Sequence, residues 1–344
     1  MNGSKKIMHS YATYFDTNYL PRALALFESL RHNGDQSEIY ALLLDDIAGE
    51  YFAKKTLGIK TISLIELEHR FPELLTVKDS RSKMEYIFTL TPWLLKYVAE
   101  QTNSEVVIYL DSDLYFFNDP DLVVNDMAGA DVGIIEHKYP KVLRNRLAKY
   151  GNYNVGWVGV RKSPNGLACL NWWSEKCLEW CSDKPEPGRY ADQGYLDQFA
   201  DLFKGVKVLK SQGFNLAPWN SQSTRIISVD NSLLISTSRE RLVFFHFHGL
   251  KALGKRFATS HLNYLGLTSK SLISNVYIPY AKSLIKHEAL VRAAGVIVGT
   301  GNVRGVGLRS IAMRVQRTIF ALLTVLTGNS FRVGPNPKEL NVGK

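Results

Sequence analysis

The chain has 344 residues, 45% of them hydrophobic, with 42 Lys and Arg against 32 Asp and Glu. This composition excludes a disordered, collagen-like or low-complexity protein, and the length suits about two domains or, equally, one large α/β domain with an appended tail. Three cysteines are too few for a disulfide framework, which points to a reducing compartment. The formal net charge of +10 is unevenly placed. Residues 1–240 hold 27 basic and 30 acidic side chains, whereas residues 241–344 hold 15 and 2. No apolar segment follows Lys5 and Lys6 near the start of the chain, and no apolar run reaches the roughly 18 residues of a spanning helix. A cytoplasmic location is therefore expected.

In chain order, residues 6–12 read as a strand, and residues 21–32 as an amphipathic helix with Pro21 at its start and Asn33-Gly34 as its stop. Strands are expected at 38–44 and 61–65. A helix is expected from Thr91-Pro92, with Thr91 as its N-cap. Residues 105–110 (EVVIYL) form an apolar, β-branched run of buried-strand type. Shorter strands are expected at 132–135, 155–160, 206–209 and 242–245, and a helix from near Gly166. Its Trp172, Trp173, Leu178, Trp180 and Cys181 read as core packing. Cys177 and Cys181 stand one helical turn apart without a second pair, so zinc is not expected. Strand–helix alternation predicts a mostly parallel sheet, with ligands at the C-terminal ends of its strands.

The run EVVIYL leads directly into Asp111-Ser112-Asp113. Two carboxylates at the end of a buried strand are costly unless a cation joins them. Their hard oxygens suit Mg²⁺ or Mn²⁺. A pair of carboxylates capping the next turn is the structural alternative. The preceding strand and the following apolar run, closed by Asn118-Asp119-Pro120-Asp121, favour the metal. Dehalogenase-type phosphatases also place D-x-D after a strand, but near the chain start and before a small Gly-Thr step. Here Leu114-Tyr115 follow.

Residues 109–117 (YLDSDLYFF) resemble the D-x-D region of GT-A-fold glycosyltransferases, most closely those related to glycosyltransferase family 8. Four further segments are similar to that family's landmarks in the same order. They are residues 11–33, Asn154-Val155-Gly156, residues 191–197 (ADQGYLD) and residues 245–249 (FHFHG). The chain departs from the family at Phe88, where the family has Arg, at Lys251-Ala252-Leu253, and over residues 171–181. Its HFHG and NLAPWN stretches resemble those of bacterial surface-polysaccharide transferases of the same fold.

The resemblance implies an α/β GT-A fold with a mixed, mostly parallel central sheet. Residues 1–255 would be the catalytic domain, 256–295 a helical extension, and 296–344 a Gly-containing connector with a basic tail. The implied activity moves a hexose from a nucleoside-diphosphate sugar, UDP-linked, to a bacterial glycan or lipid-linked acceptor. Asp111, Asp113 and His246 would bind the metal, and Asp111 also the ribose. A histidine ligand favours Mn²⁺ over Mg²⁺, and His248 is the alternative to His246. Tyr14, Asp16 and Tyr19 would hold the nucleobase, with Asn154, Asn215 and Trp219 shaping the donor or acceptor pocket. Lys251 would face the leaving diphosphate, and Asp192 and Gln193 the reacting sugar. Each has a bland counterpart: a core histidine, a strand-to-helix loop, a buried Trp at a turn, a solvated lysine, and Asp192 as a helix N-cap. A nucleotidyltransferase of related fold and an inactive glycan-binding scaffold remain the alternatives. The first would carry a Gly-rich phosphate loop, which YATYFDTNYLPR lacks.

The Gly299-Thr300-Gly301 cluster has the wrong spacing for a dinucleotide fingerprint. Beyond it, Arg309, Arg314 and Arg317 precede an uncharged stretch at 318–327. That pattern suits either a helix resting on an anionic membrane surface or a docked terminal helix. No nucleic-acid module appears.

Overall fold

The computed structural model describes residues 7–55, 57–222, 224–299 and 319–334. Its centre is a seven-stranded sheet in the order β3-β2-β1-β4-β7-β6-β8. These strands are β1 (His9–Phe15), β2 (Glu38–Leu43), β3 (Lys60–Ser63), β4 (Val106–Leu110), β6 (Val132–Glu136), β7 (Tyr153–Arg161) and β8 (Val206–Leu209). β1 pairs in parallel with β2 and β4, β2 with β3, and β6 with β8. β7 runs antiparallel between β4 and β6. This is the mixed, mostly parallel α/β sheet expected from the sequence.

β4 shows why the chain folds this way. All five of its residues are buried, and alternate side chains enter different cores because a strand has period two. Val106, Ile108 and Leu110 join the cluster formed with the helix Leu20–His32, while Val107 and Tyr109 join that of the helices Lys83–Gln101 and Pro164–Glu179. Each such apolar side chain contributes about 1.5–3 kcal/mol by leaving water.

Below the sheet's C-terminal edge, β5 (Leu114–Phe116) pairs antiparallel with β11 (Phe244–His246). β9 (Ile226–Val229) and β10 (Ser232–Ile235) make a hairpin. β12 (Lys251–Leu253), β13 (Arg256–Ala258) and β14 (Ser330–Phe331) make a small third sheet. The expected domain boundary after residue 255 thus falls in the turn between two paired strands. The segment 256–295 is bound to the same body. Its helix Ile278–Ala293 lies on Leu20–His32, where Glu28 meets Ser283, Lys286 and His287, and Tyr280 stacks on Phe247 with ring centroids 3.7 Å apart. Phe331, from the expected tail, is buried against Tyr277 and Phe257. Arg309, Arg314 and Arg317 lie outside the described residues. No helix among the described residues is long and apolar enough to cross a membrane.

Two local expectations are corrected. The helix expected from Thr91-Pro92 begins at Lys83, and Pro92 lies inside it. Ser82 and Glu85 form a reciprocal capping box, with Ser82 Oγ accepting from Glu85 N at 3.3 Å and Glu85 Oε2 from Ser82 N at 2.9 Å. Burial of Trp93, Leu94 and Leu95 just beyond Pro92 offsets the hydrogen bond the proline cannot donate. Trp180 and Cys181 fall past the end of their helix, which stops at Glu179, and Cys169, Cys177 and Cys181 are free and buried. Ser82→Ala is expected to cost about 1 kcal/mol of stability in urea unfolding, with an unchanged far-UV spectrum.

Candidate functional site

The strand order leaves a cleft of about 630 Å³ at the C-terminal ends of β1 and β4 and the N-terminal end of the antiparallel β7. Asp111 follows the last residue of β4, and its carboxylate accepts from Tyr109 Oη at 2.9 Å. Asp113 precedes β5. The β5–β11 register sets Leu114 opposite His246 and so delivers the imidazole to the two aspartates. His246 Nε2 lies 3.1 Å from Asp113 Oδ1 and 3.5 Å from Asp111 Oδ2. Its main chain is held by its N–H donating to Leu216 O at 2.8 Å.

The other ring nitrogen decides the tautomer. His246 Nδ1 is 3.3 Å from Asn154 Oδ1, and an amide oxygen only accepts, so Nδ1 carries the proton. With Nδ1 so held, Nε2 faces the carboxylates, the orientation a metal-ligating histidine needs once an ion takes the place of its proton. Asn154 Oδ1 also accepts from Gly156 N at 3.1 Å and Asn215 Nδ2 at 3.0 Å, and Asn154 Nδ2 donates to Gln193 Oε1 at 3.0 Å. Gly156 is required by this crowding. A Cβ there would stand 2.7 Å from Asn154 Oδ1 and 2.9 Å from His246 Nδ1.

The electrostatics agree with a cation site. Burial pushes the Asp111 carboxyl up and neighbouring Asp113 adds to this, against the pull of His246. Asp113 is also raised by burial, but His246 more than offsets it and holds the group at about 2. Burial lowers the His246 imidazole, yet Asp113 and Asp111 together carry it above its ordinary value. Two buried carboxylates therefore share one positive partner. Here the ligand atoms that all lie within 4.8 Å of one another are those of Asp113, His246 and His248, with Asp111 3.5 Å from His246 Nε2. Both histidines thus approach Asp113. A set mixing carboxylate oxygen and imidazole nitrogen suits Mn²⁺ better than Mg²⁺.

Asp192 lines the same cleft, fully buried, and burial pushes its carboxyl up to about 7, with Asp111 adding to the shift. It occupies the N-cap position of the 3-10 turn Gln193–Gln198, but its side chain makes no capping bond there. The indole of Trp173 donates to its backbone oxygen at 2.8 Å. Gln193 is a strut. Its Oε1 accepts from Asn154 Nδ2, and its Nε2 donates to Tyr150 O at 2.7 Å.

Tyr14, Asp16 and Tyr19 sit at the other end of the cleft. Tyr14 Oη is 3.3 Å from Thr91 Oγ1 and its ring lies 5.5 Å from that of Tyr109. Asp16 Oδ1 accepts from the N–H groups of Asn18 and Tyr19, at 3.1 and 3.3 Å, so this carboxylate also builds its own loop. Trp219 lines the cleft, donates to His137 O at 2.9 Å and sets its ring edge-on to His246. Asn215 is fully buried behind Asn154 in a left-handed conformation, φ 56°. Lys251 is not brought to the cleft. After His248 the chain turns at Gly249, φ 71°, and enters β12, where Lys251 is exposed and lies 6.0 Å from the Phe320 ring centroid. Phe88 lines the cleft as an apolar wall.

Sequence reasoning placed Asn154 in the donor or acceptor pocket and named Gly156 only as part of a motif, and missed their joint hold on His246. It also missed Tyr139, Arg146, Tyr150, Tyr190 and Tyr264, which line the cleft's far half. No sequence spacing marks them.

No family model matches the chain. The uncharacterized Bacillus subtilis protein YfnF is 30% identical over 250 residues, covering 70% of this chain and 82% of YfnF. YfnD of the same organism is 26% identical over 278 residues, covering 80% and 88%. Among solved structures, the galactosyltransferase LgtC, in complex with donor and acceptor sugar analogs, is 12% identical over 80% of this chain and 95% of that one, with a TM-score of 0.45.

Gly156→Ala is expected to wedge Asn154 from His246 and weaken Mn²⁺ binding by about tenfold, since ligand-orienting contacts carry effects of that size. Calorimetric Mn²⁺ titration checks this, with circular dichroism to confirm folding.

Proposed function

The chain belongs to the family of the Bacillus subtilis protein YfnF, and we propose that it is a metal-dependent glycosyltransferase. In this reading it moves a hexose from a nucleoside-diphosphate sugar, UDP-linked, to a bacterial glycan or lipid-linked acceptor. The observation that carries the proposal is the convergence of Asp111, Asp113 and His246 at the sheet's C-terminal edge, inside a cleft lined at one end by Tyr14 and Tyr19. The GT-A resemblance of the sequence supports it.

A divalent ion, when bound, supplies positive charge against the charge that develops on the departing diphosphate. The chain's own residues do the rest. Asp111, Asp113 and the His246 Nε2 lone pair present the donor atoms. Tyr14 and Tyr19 offer aromatic faces to a base. Met84, Ile87 and Phe88 line the cleft with apolar surface that excludes water. Asp192 supplies a carboxyl that gains and loses a proton near neutrality, the property required to accept a proton from an acceptor hydroxyl. Gln193, tied at both ends of its amide, positions the floor beside Asp192.

Calorimetric titration of UDP should show binding in Mn²⁺ that EDTA abolishes and that Asp113→Ala weakens by about 100-fold, the loss expected when one charged ligand is removed. Metal-independent binding would remove Asp113 from its role, and no nucleotide binding at all would favour the scaffold alternative.

The pH dependence has a definite sign. A base must be ionised to accept a proton, and burial raises the Asp192 carboxyl to about 7. The rate of transfer should therefore rise about tenfold per pH unit below that value and level off above it. Asp192→Asn should remove this limb and slow transfer by about 100-fold or more; initial rates measured across the pH range check both.

A further inference from the structure

The half of the cleft beyond the metal cluster carries chemistry that the donor reading leaves unused. Tyr139, Tyr150, Tyr190 and Tyr264 line it. No described residue hydrogen-bonds to their hydroxyls, although those of Tyr139, Tyr190 and Tyr264 are pushed up by burial and stay protonated donors at neutral pH. The rings line this half in two groups. Tyr150 and Tyr190 meet edge-on at 5.0 Å, while Tyr139 and Tyr264 stand 6.4 and 5.9 Å from Trp219. Trp219 in turn lies 5.1 Å from His246, so the wall begins at the metal cluster.

Into this wall projects Arg146. Its guanidinium lies 4.9 Å from the Tyr264 ring centroid, and Nη2 donates to Asn263 O at 2.8 Å. Arg146 is the one lysine or arginine among the described residues that line the cleft, and it pairs with no carboxylate among them. The lining carboxylates are Asp16, Asp111, Asp113 and Asp192. A half-buried guanidinium held on two sides and lacking a counter-ion is a preorganised receptor for a carboxylate or phosphate. The apolar face of a sugar ring packs on aromatic rings, and its hydroxyls need neutral donors and acceptors of the kind the phenols present.

We propose that this wall is the acceptor subsite and that it takes an anionic sugar, with Arg146 pairing with the sugar's carboxylate or phosphate and the tyrosines cradling its ring. That the bound sugar is an acceptor rests on the transferase reading above; that the wall binds an anionic sugar does not.

The test uses the full chain with UDP and Mn²⁺ present. Methyl β-D-glucuronide, glucose 6-phosphate and methyl β-D-glucoside are titrated separately, with saturation-transfer NMR as the readout. At least one acidic sugar should bind about tenfold more tightly than the neutral glucoside, the scale of one charge-assisted pair. Which one does so tells a uronate from a phosphate. Arg146→Gln should reduce that preference to about twofold or less while leaving UDP affinity unchanged, and Arg146→Lys should keep part of it. Equal binding of the neutral glucoside, or binding of none of the three, overturns the proposal. So does loss of UDP affinity in Arg146→Gln, which would place the guanidinium on the donor diphosphate. If wild-type protein fails to bind UDP yet still prefers the acidic sugar through Arg146, the transferase reading falls and the anionic-sugar site stands.

Discussion

One amide oxygen holds the candidate site together. Asn154 Oδ1, on β7, accepts from Gly156 N two residues on, from Asn215 Nδ2 in the loop between β8 and β9, and from His246 Nδ1 on β11. The same side chain donates to Gln193. Segments separated by up to 92 residues thus meet at a single oxygen, whose two lone pairs are shared among three donors. In a buried site such a network is worth more than its separate bonds, because each member fixes the geometry of the next. Nε2 of His246 faces Asp111 and Asp113 because its other nitrogen is held.

Around that node the fold supports a costly arrangement. Two carboxylates are withdrawn from water at the end of β4; that burial, with Asp113 adding to it, raises Asp111, while His246 lowers Asp113. Apolar packing surrounds the polar cluster. Behind β11, Phe245 packs edge-on against Tyr277 at 5.3 Å, and Phe247 stacks on Tyr280. The helical extension over residues 256–295 therefore buttresses the strand that bears the histidine. Tight aromatic packing leaves little room for the strand to shift, and a shift of one residue would turn His246 away from the aspartates.

Much of this was legible in the sequence for particular reasons. Strand β4 announced itself through an apolar run flanked by carboxylates, and period-two alternation of its side chains into two cores follows from that run alone. Asp111, Asp113 and His246 stood in landmarks whose order along the chain matched a known pattern. The reading failed where a local signal was overruled by a distant or stronger one. Pro92 looked like a helix start, yet the Ser82–Glu85 capping box set the start nine residues earlier. Lys251 looked placed for the cleft, yet the turn at Gly249 sent it into a separate sheet. β14 was hidden because its two residues pair with β13 only through tertiary contact.

The sequence by itself determined the elements and the chemistry available: a buried strand running into two aspartates, a late His-Phe-His, and a loop of tyrosines and an aspartate near the start. Those follow from periodicity and residue type, which are local. Only the tertiary structure decided which nitrogen faces the aspartates, that Asp192 is buried enough to titrate near neutrality, and that Arg146 with four tyrosines from residues 139–264 forms one wall. Such properties depend on burial and convergence of residues far apart in the chain, and neither has a signature in any short stretch of sequence.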